Sequence, residues 1–239
     1  MKRGWRDAWF IVKQEFRTSP IGLLLTLLFM VYLSVMTYPM VQMVFDKDVG
    51  IISTILMDFY LVLIFLSLGN LMNRRSTRYL SDDSYRKYVI KQRILPIGIE
   101  TIVRARYLQL CILALVNGTV FFFVSYFVTG LGEITTIGSY VLFVLIGLTL
   151  NVLINVFLTY CEWRMSGKNY MWVVFLVMGI HTVAAIIISL CGGSIFKSLI
   201  YITNEWPIPT AIVTIVVLSQ AIVWGMKSSL QVLRRTDLS

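Results

Sequence analysis

Apolar stretches long enough to cross a bilayer follow one another along this chain, separated by short charged segments. A hydrocarbon core of about 30 Å takes about 20 apolar residues of helix. Stretches of that kind occupy 21–45, 51–73, 107–132, 134–161, 169–193 and 206–228. The second contains one acid, Asp58, and the last is short and opens with Pro207 and Pro209. The runs are continuous rather than alternating, which excludes a transmembrane barrel and predicts helices. The expected fold is therefore all-α and integral to a membrane, with six spans in a single transmembrane domain, 1–239.

The polar segments between the spans have patterns of their own. Over 4–17, Trp5, Ala8, Trp9, Val12 and Phe16 recur at helical spacing, with Arg6, Lys13 and Arg17 elsewhere on the circumference. Ser19-Pro20 then breaks the helix. Aromatic residues on one side and basic ones on another predict a helix lying in the membrane interface. The longest polar segment precedes the third span. There Ser81 can cap a helix that opens with Asp82 and Asp83, acids at its positive end. That helix, 82–93, presents Tyr85, Tyr88 and Val89 as an apolar face among Arg86, Lys87, Lys91 and Arg93, as a docking surface for a soluble partner or, alternatively, as a basic loop lying on the headgroups. Pro96 and Gly98 stop it, and a new helix starts near Ile99 and runs into the third span. Between the fifth and sixth spans, Gly192-Gly193 breaks the chain, 195–202 is mildly amphipathic, and Pro207-Ile208-Pro209 restarts it.

Charge gives the orientation. Of the 21 Lys and Arg, only Lys47 and Lys197 lie on one side of the expected topology; the other nineteen lie on the opposite side. By the positive-inside rule both termini are cytoplasmic, and the membrane is the cell membrane. The net charge of +9 is thus a topological signal, and nucleic acid is not an expected partner. With 58% apolar and 14% charged residues, the chain is far from soluble-protein composition. The first apolar run follows twenty mixed residues and is not read as a cleavable leader.

The order of these elements resembles the ABC-2 type permeases of ABC transporters. An interfacial N-terminal helix and two spans are followed by a long basic cytoplasmic segment and a Leu-Pro-Ile turn into the third span. ILPIGIETIVRARYL, Ile94 to Leu108, is similar to the family's recurrent Leu-Pro-Ile turn followed by an apolar helix with a basic residue before Tyr-Leu. The family's acidic stretch before that turn usually contains glycine; here Asp82-Asp83 is present without it. The resemblance implies the permease subunit of an ATP-driven exporter, carrying a peptide, antibiotic-like or lipid-type substrate. It makes 82–93 the coupling helix, with Asp83, Tyr85, Arg86, Tyr88, Val89 and Arg93 docking a nucleotide-binding ATPase subunit. It adds a second, minor contact at 162–168, a short re-entrant or extracellular helix within 191–209, and a second permease subunit. The chain has no G-x-x-x-x-G-K-[ST] loop, so hydrolysis falls to the separate subunit and no cofactor or catalytic role is expected here. The alternative is a secondary transporter or membrane resistance protein with no ATPase partner.

Within the spans, ionisable residues are the candidates for function. Asp58 lies seven residues past Ile51, about 10 Å below the outer end of the second span. His181, the single histidine, lies twelve residues past Asn169, at nearly the same level. The resemblance places spans two and five along the pathway, so Asp58 and His181 are expected to lie near each other, within one subunit or across the dimer, and to interact or contact substrate together. Each bonding a nearby hydroxyl is the alternative. Gly147, Asn151, Asn155 and Thr159 recur every fourth residue and read as a packing ridge. Cys111, Cys161 and Cys191 are too scattered for a metal set or a disulfide framework. Asn117-Gly118-Thr119 matches a glycosylation sequon but falls within a span. The charge asymmetry makes a direct prediction. A cysteine replacing Lys47 labels with an impermeant maleimide on intact cells, and one replacing Arg86 labels only after permeabilisation. External labelling at 86 contradicts the orientation.

Overall fold

The computed structural model describes residues 2–45, 50–71 and 97–235. Among these residues the chain is helical, with no strand. The expected docking helix and all six of its named residues lie outside the described residues, as does Lys47.

Helix α1 spans Lys2–Thr18 and α2 spans Pro20–Phe45. Ser19 separates them, and Pro20 opens α2 at a position where its missing N–H costs no hydrogen bond. Helix α3 spans Ile51–Ser67, and α4, Ile99–Thr129, is the longest. Gly130, with φ of +68°, ends α4 in the left-handed region. The single turn α5, Leu131–Ile134, leads to α6, Ile137–Arg164, whose N-cap Thr136 accepts the Ser139 N–H. Helices α7, Gly167–Leu190, α8, Ile195–Glu205, and α9, Pro207–Arg235, complete the chain.

Five of these helices, α2, α4, α6, α7 and α9, are long and apolar enough to cross a membrane. Helix α3 is apolar but has only 17 residues, a rise of about 25 Å. It ends six residues short of the expected 51–73, at Leu68-Gly69-Asn70. Helix α4 begins at Ile99, where the sequence places the helix that runs into the third span, and α6 begins three residues after 134 because the α5 turn intervenes. The outward faces of α2, α7 and α9 carry exposed Leu25, Leu28, Phe175, Leu176, Ile212 and Ile215. Apolar surface of that extent has no place in water and identifies a multi-pass protein whose solvent is the bilayer.

The two largest buried clusters join most of the bundle. Met57, Ile64 and Phe65 of α3 meet Phe121 and Phe122 of α4, Phe143 of α6 and Phe196 of α8. Towards the other end, Val103 and Tyr107 of α4 meet Val152, Val156 and Trp163 of α6 and Leu233 of α9. At 31 residues, α4 is about 46 Å long and overshoots a 30 Å core by about three turns. Helix α1 packs against this overshoot through Ala8 and Val12, which lie on Ala105 of α4. The end of α9 reaches the same place: Arg234 pairs with Glu100 at 3.1 Å, and Glu100 pairs with Arg104 at 3.2 Å. The Arg104 guanidinium in turn lies 5.8 Å from the Trp5 ring centre. The N-terminal helix, the start of α4 and the end of α9 therefore share one end of the bundle.

Close approach of α9 requires Gly225. A Cβ there would lie 2.5 Å from Val156 Cγ1 and 2.7 Å from the Tyr107 hydroxyl. Nothing lies within 4 Å of the corresponding position at Gly179. Gly225→Leu is thus expected to cost about 1–3 kcal/mol and to lower the thermal midpoint of the purified protein, while Gly179→Leu leaves it unchanged. Equal midpoints for the two variants would contradict this packing.

Candidate functional site

Asp58 is fully buried in α3, in the middle of a helix that is otherwise apolar around it. A charge at that depth costs about 2.5–3.5 kcal/mol on insertion scales unless protein groups replace its water. The replacement is the first turn of α8. Asp58 Oδ2 accepts the Ile195 N–H at 2.8 Å, and Oδ1 accepts the Phe196 N–H at 3.0 Å and the Ser194 hydroxyl at 3.2 Å. The two backbone N–H groups are among those that a helix start leaves without intrahelical partners, at its positive pole. Ser194 is also the ordinary N-cap, accepting the Lys197 N–H at 3.3 Å. Two acceptors, one local and one from α3, therefore serve one helix start. Phe196, immediately inside the cap, is buried against Phe143 with ring centres 6.0 Å apart.

His181 is elsewhere engaged. Its Nδ1 lies 2.7 Å from the Val177 carbonyl one turn back on α7. A carbonyl only accepts, so Nδ1 carries the hydrogen. Asp58 and His181 form no hydrogen bond or ion pair with each other; within this chain the expected pair is replaced by separate partners. Depth and the resemblance together suggested the pairing. What they lacked was α8, which brings three donors to Asp58 first.

A second polar group forms where α3 stops. The carbonyls of its last turn accept side-chain amides: Phe65 from Asn151, Leu66 from Asn70 at 2.8 Å, and Leu68 from Asn117 at 2.8 Å. Asn117 also reaches the Asn70 carbonyl at 3.3 Å, and Asn155 donates to the Asn151 carbonyl at 3.0 Å. In lipid a helix can end only where such carbonyls find donors. A Cβ at Gly69 would lie 2.9 Å from Asn155 Nδ2, so the chain passes these amides only as glycine. The ridge on α6 thus packs and hydrogen-bonds, with Gly147 against Phe122 and Phe65. Asn117, noticed in the sequence only as part of a sequon, is a partner of the helix end.

Near the Glu100 end, Arg106 of α4 pairs with buried Glu162 of α6 at 2.8 Å, and the Tyr107 hydroxyl meets Ser229 of α9 at 3.0 Å. At the opposite end, an open groove of about 550 Å³ is lined by Thr54, Ser194, Lys197, Ser198 and Tyr201. Among the described residues, no group of three or more His, Cys, Asp and Glu could hold a metal ion. The arrangement binds helices to one another through charge and hydrogen bonds. Comparison of the chain with protein-family models, with curated proteins and with solved structures gives no match.

Separate partners make the two ionisable residues energetically independent. Asp58→Leu leaves three buried donors without an acceptor and is expected to cost about 3 kcal/mol; Asp58→Asn, which keeps one oxygen, costs about 1 kcal/mol. The Asp58→Asn and His181→Gln effects on the thermal midpoint add. A coupling above about 0.5 kcal/mol in the double variant would contradict the separate partners.

Proposed function

We propose that this chain is the permease subunit of an ATP-driven exporter of the ABC-2 type. It has six spans, both termini in the cytoplasm of the cell, and a paired permease subunit. Helix α3 is the sixth span. The meeting of α1, the start of α4 and the end of α9 around Glu100 supports an even number of crossings. With α3 counted, α2 and α3 carry the chain out and back, and α4, α6, α7 and α9 do so twice more.

The observation that carries the reading is the placement of α8. It is a short amphipathic helix between α7 and α9, at the end of the bundle opposite Glu100, tied to α3 by Asp58. That is the extra outer element that the resemblance calls for between the last two spans. The interfacial α1 and the overshoot of α4 add to it, since both put structure at the cytoplasmic face where a soluble subunit docks. In operation, ATP binding by the partner moves 82–93, and α3, which leads into that segment, carries the movement towards Asp58 and α8. The bundle then exchanges inward- and outward-open states, shifted by the difference in partner affinity between them. Substrates are peptide, antibiotic-like or lipid-type.

Tyr88→Asp tests this. An unpaired carboxylate in a docking contact costs roughly several kcal/mol. The variant is expected to insert and pair normally but to lose co-purification with a P-loop ATPase and substrate-stimulated hydrolysis. Full transport with no ATPase in the purified complex would instead establish the reading as a secondary transporter.

A further inference from the structure

Helix α1 divides its circumference among three environments. Ala8 and Val12 are buried on α4. At about 100° per residue, Arg6, Lys13 and Arg17 fall within about 40° of one another, well away from that contact. Trp9 borders this basic stripe on one side and Phe10 on the other, both exposed, at 50% and 69%. Asp7 and Gln14 lie on the remaining arc. All three basic side chains are exposed, and among the described residues none forms an ion pair or hydrogen bond with the protein.

A basic stripe edged by aromatic rings, on a helix held beside a membrane-spanning one, faces the headgroup layer. Packing against α4 fixes the depth, because Ala105 lies six residues into a helix whose first three turns stand outside the hydrocarbon core. The rings suit the boundary between headgroups and acyl chains, and the basic side chains, with apolar stems and charged ends, reach the phosphates. Three cations on one stripe, unpaired among the described residues, select negative over zwitterionic headgroups. We propose that α1 is a binding surface for anionic phospholipid, with Arg6, Lys13 and Arg17 as the phosphate contacts and Trp9 and Phe10 as the aromatic anchors. The surface commits to lipid and not to free phosphate: a single stripe on a convex helix encloses no anion, and the aromatic edges have no role without acyl chains. This inference is independent of the exporter reading, since it concerns which lipid the chain holds and not what it carries.

The full-length protein, extracted in mild detergent, is incubated with equal phosphatidylglycerol and phosphatidylcholine, and retained lipid is counted by native mass spectrometry. The wild-type protein is expected to retain phosphatidylglycerol preferentially. Each basic residue contributes roughly fivefold near an anionic surface, so Arg6→Gln, Lys13→Gln and Arg17→Gln together remove most of the preference. Because the three are exposed and unpaired, the triple variant keeps the wild-type thermal midpoint in phosphatidylcholine. Arg164→Gln with Lys227→Gln, at the same end of the bundle but off α1, leaves the preference intact. Equal retention of the two lipids by the wild-type protein, unchanged preference in the triple variant, or equal protection by inorganic phosphate would overturn the assignment.

Discussion

The buried carboxylate of Asp58 sets the arrangement of one whole end of this molecule. An acid inside a span is unfavourable unless its water is replaced, and the start of a helix is left with donors it cannot use internally. Here each solves the other's problem. The consequence is positional: α8 must begin where Asp58 is, which drives Phe196 into the aromatic core beside Phe143 and Met57. It also fixes how α7 returns to α9, because the chain between them passes through the capped turn.

The same rule, that no polar backbone group may be left bare in lipid, shapes the other end of α3. That helix stops at Ser67, and Asn70, Asn117 and Asn151 supply amide donors for its final carbonyls. One short helix is therefore held at its middle, where its own acid accepts from α8, and at its end, where amides of Asn70, of Asn117 on α4 and of Asn151 on α6 meet its carbonyls. Beyond it, Glu100 draws α9 to the start of α4, where Arg104 also meets Trp5 of α1.

Much of the architecture is legible in the sequence because hydropathy and charge act over whole segments. The spans at 21–45 and 169–193 correspond to α2 and α7, and Ser19-Pro20, Gly192-Gly193 and Pro207 mark the breaks that occur. The heptad-like face of 4–17 gave α1, but its division into an α4-facing strip of Ala8 and Val12 and an exposed aromatic edge needed the neighbouring helix. The end of α3 at Ser67 was hidden, because LSLGNL is apolar enough to continue a span. Besides the local amide of Asn70, the donors that make stopping favourable, Asn117 and Asn151, lie 49 and 86 residues from the carbonyls they meet. Asp58 was recognisable as exceptional from its setting alone. Its partners were not, since two of the three donors are backbone N–H groups, which every residue carries and no pattern advertises.

Amide hydrogen exchange at α8, in the intact protein in lipid nanodiscs, tests the central role of Asp58 most directly. If Asp58 anchors this helix, the Ile195 and Phe196 amides are protected in the wild-type protein. In Asp58→Leu, exchange across 195–205 then accelerates by about tenfold or more, while 110–117 in α4 is unchanged. Undiminished protection of 195–205 in that variant would contradict the account, since α8 would then be held by something other than the carboxylate.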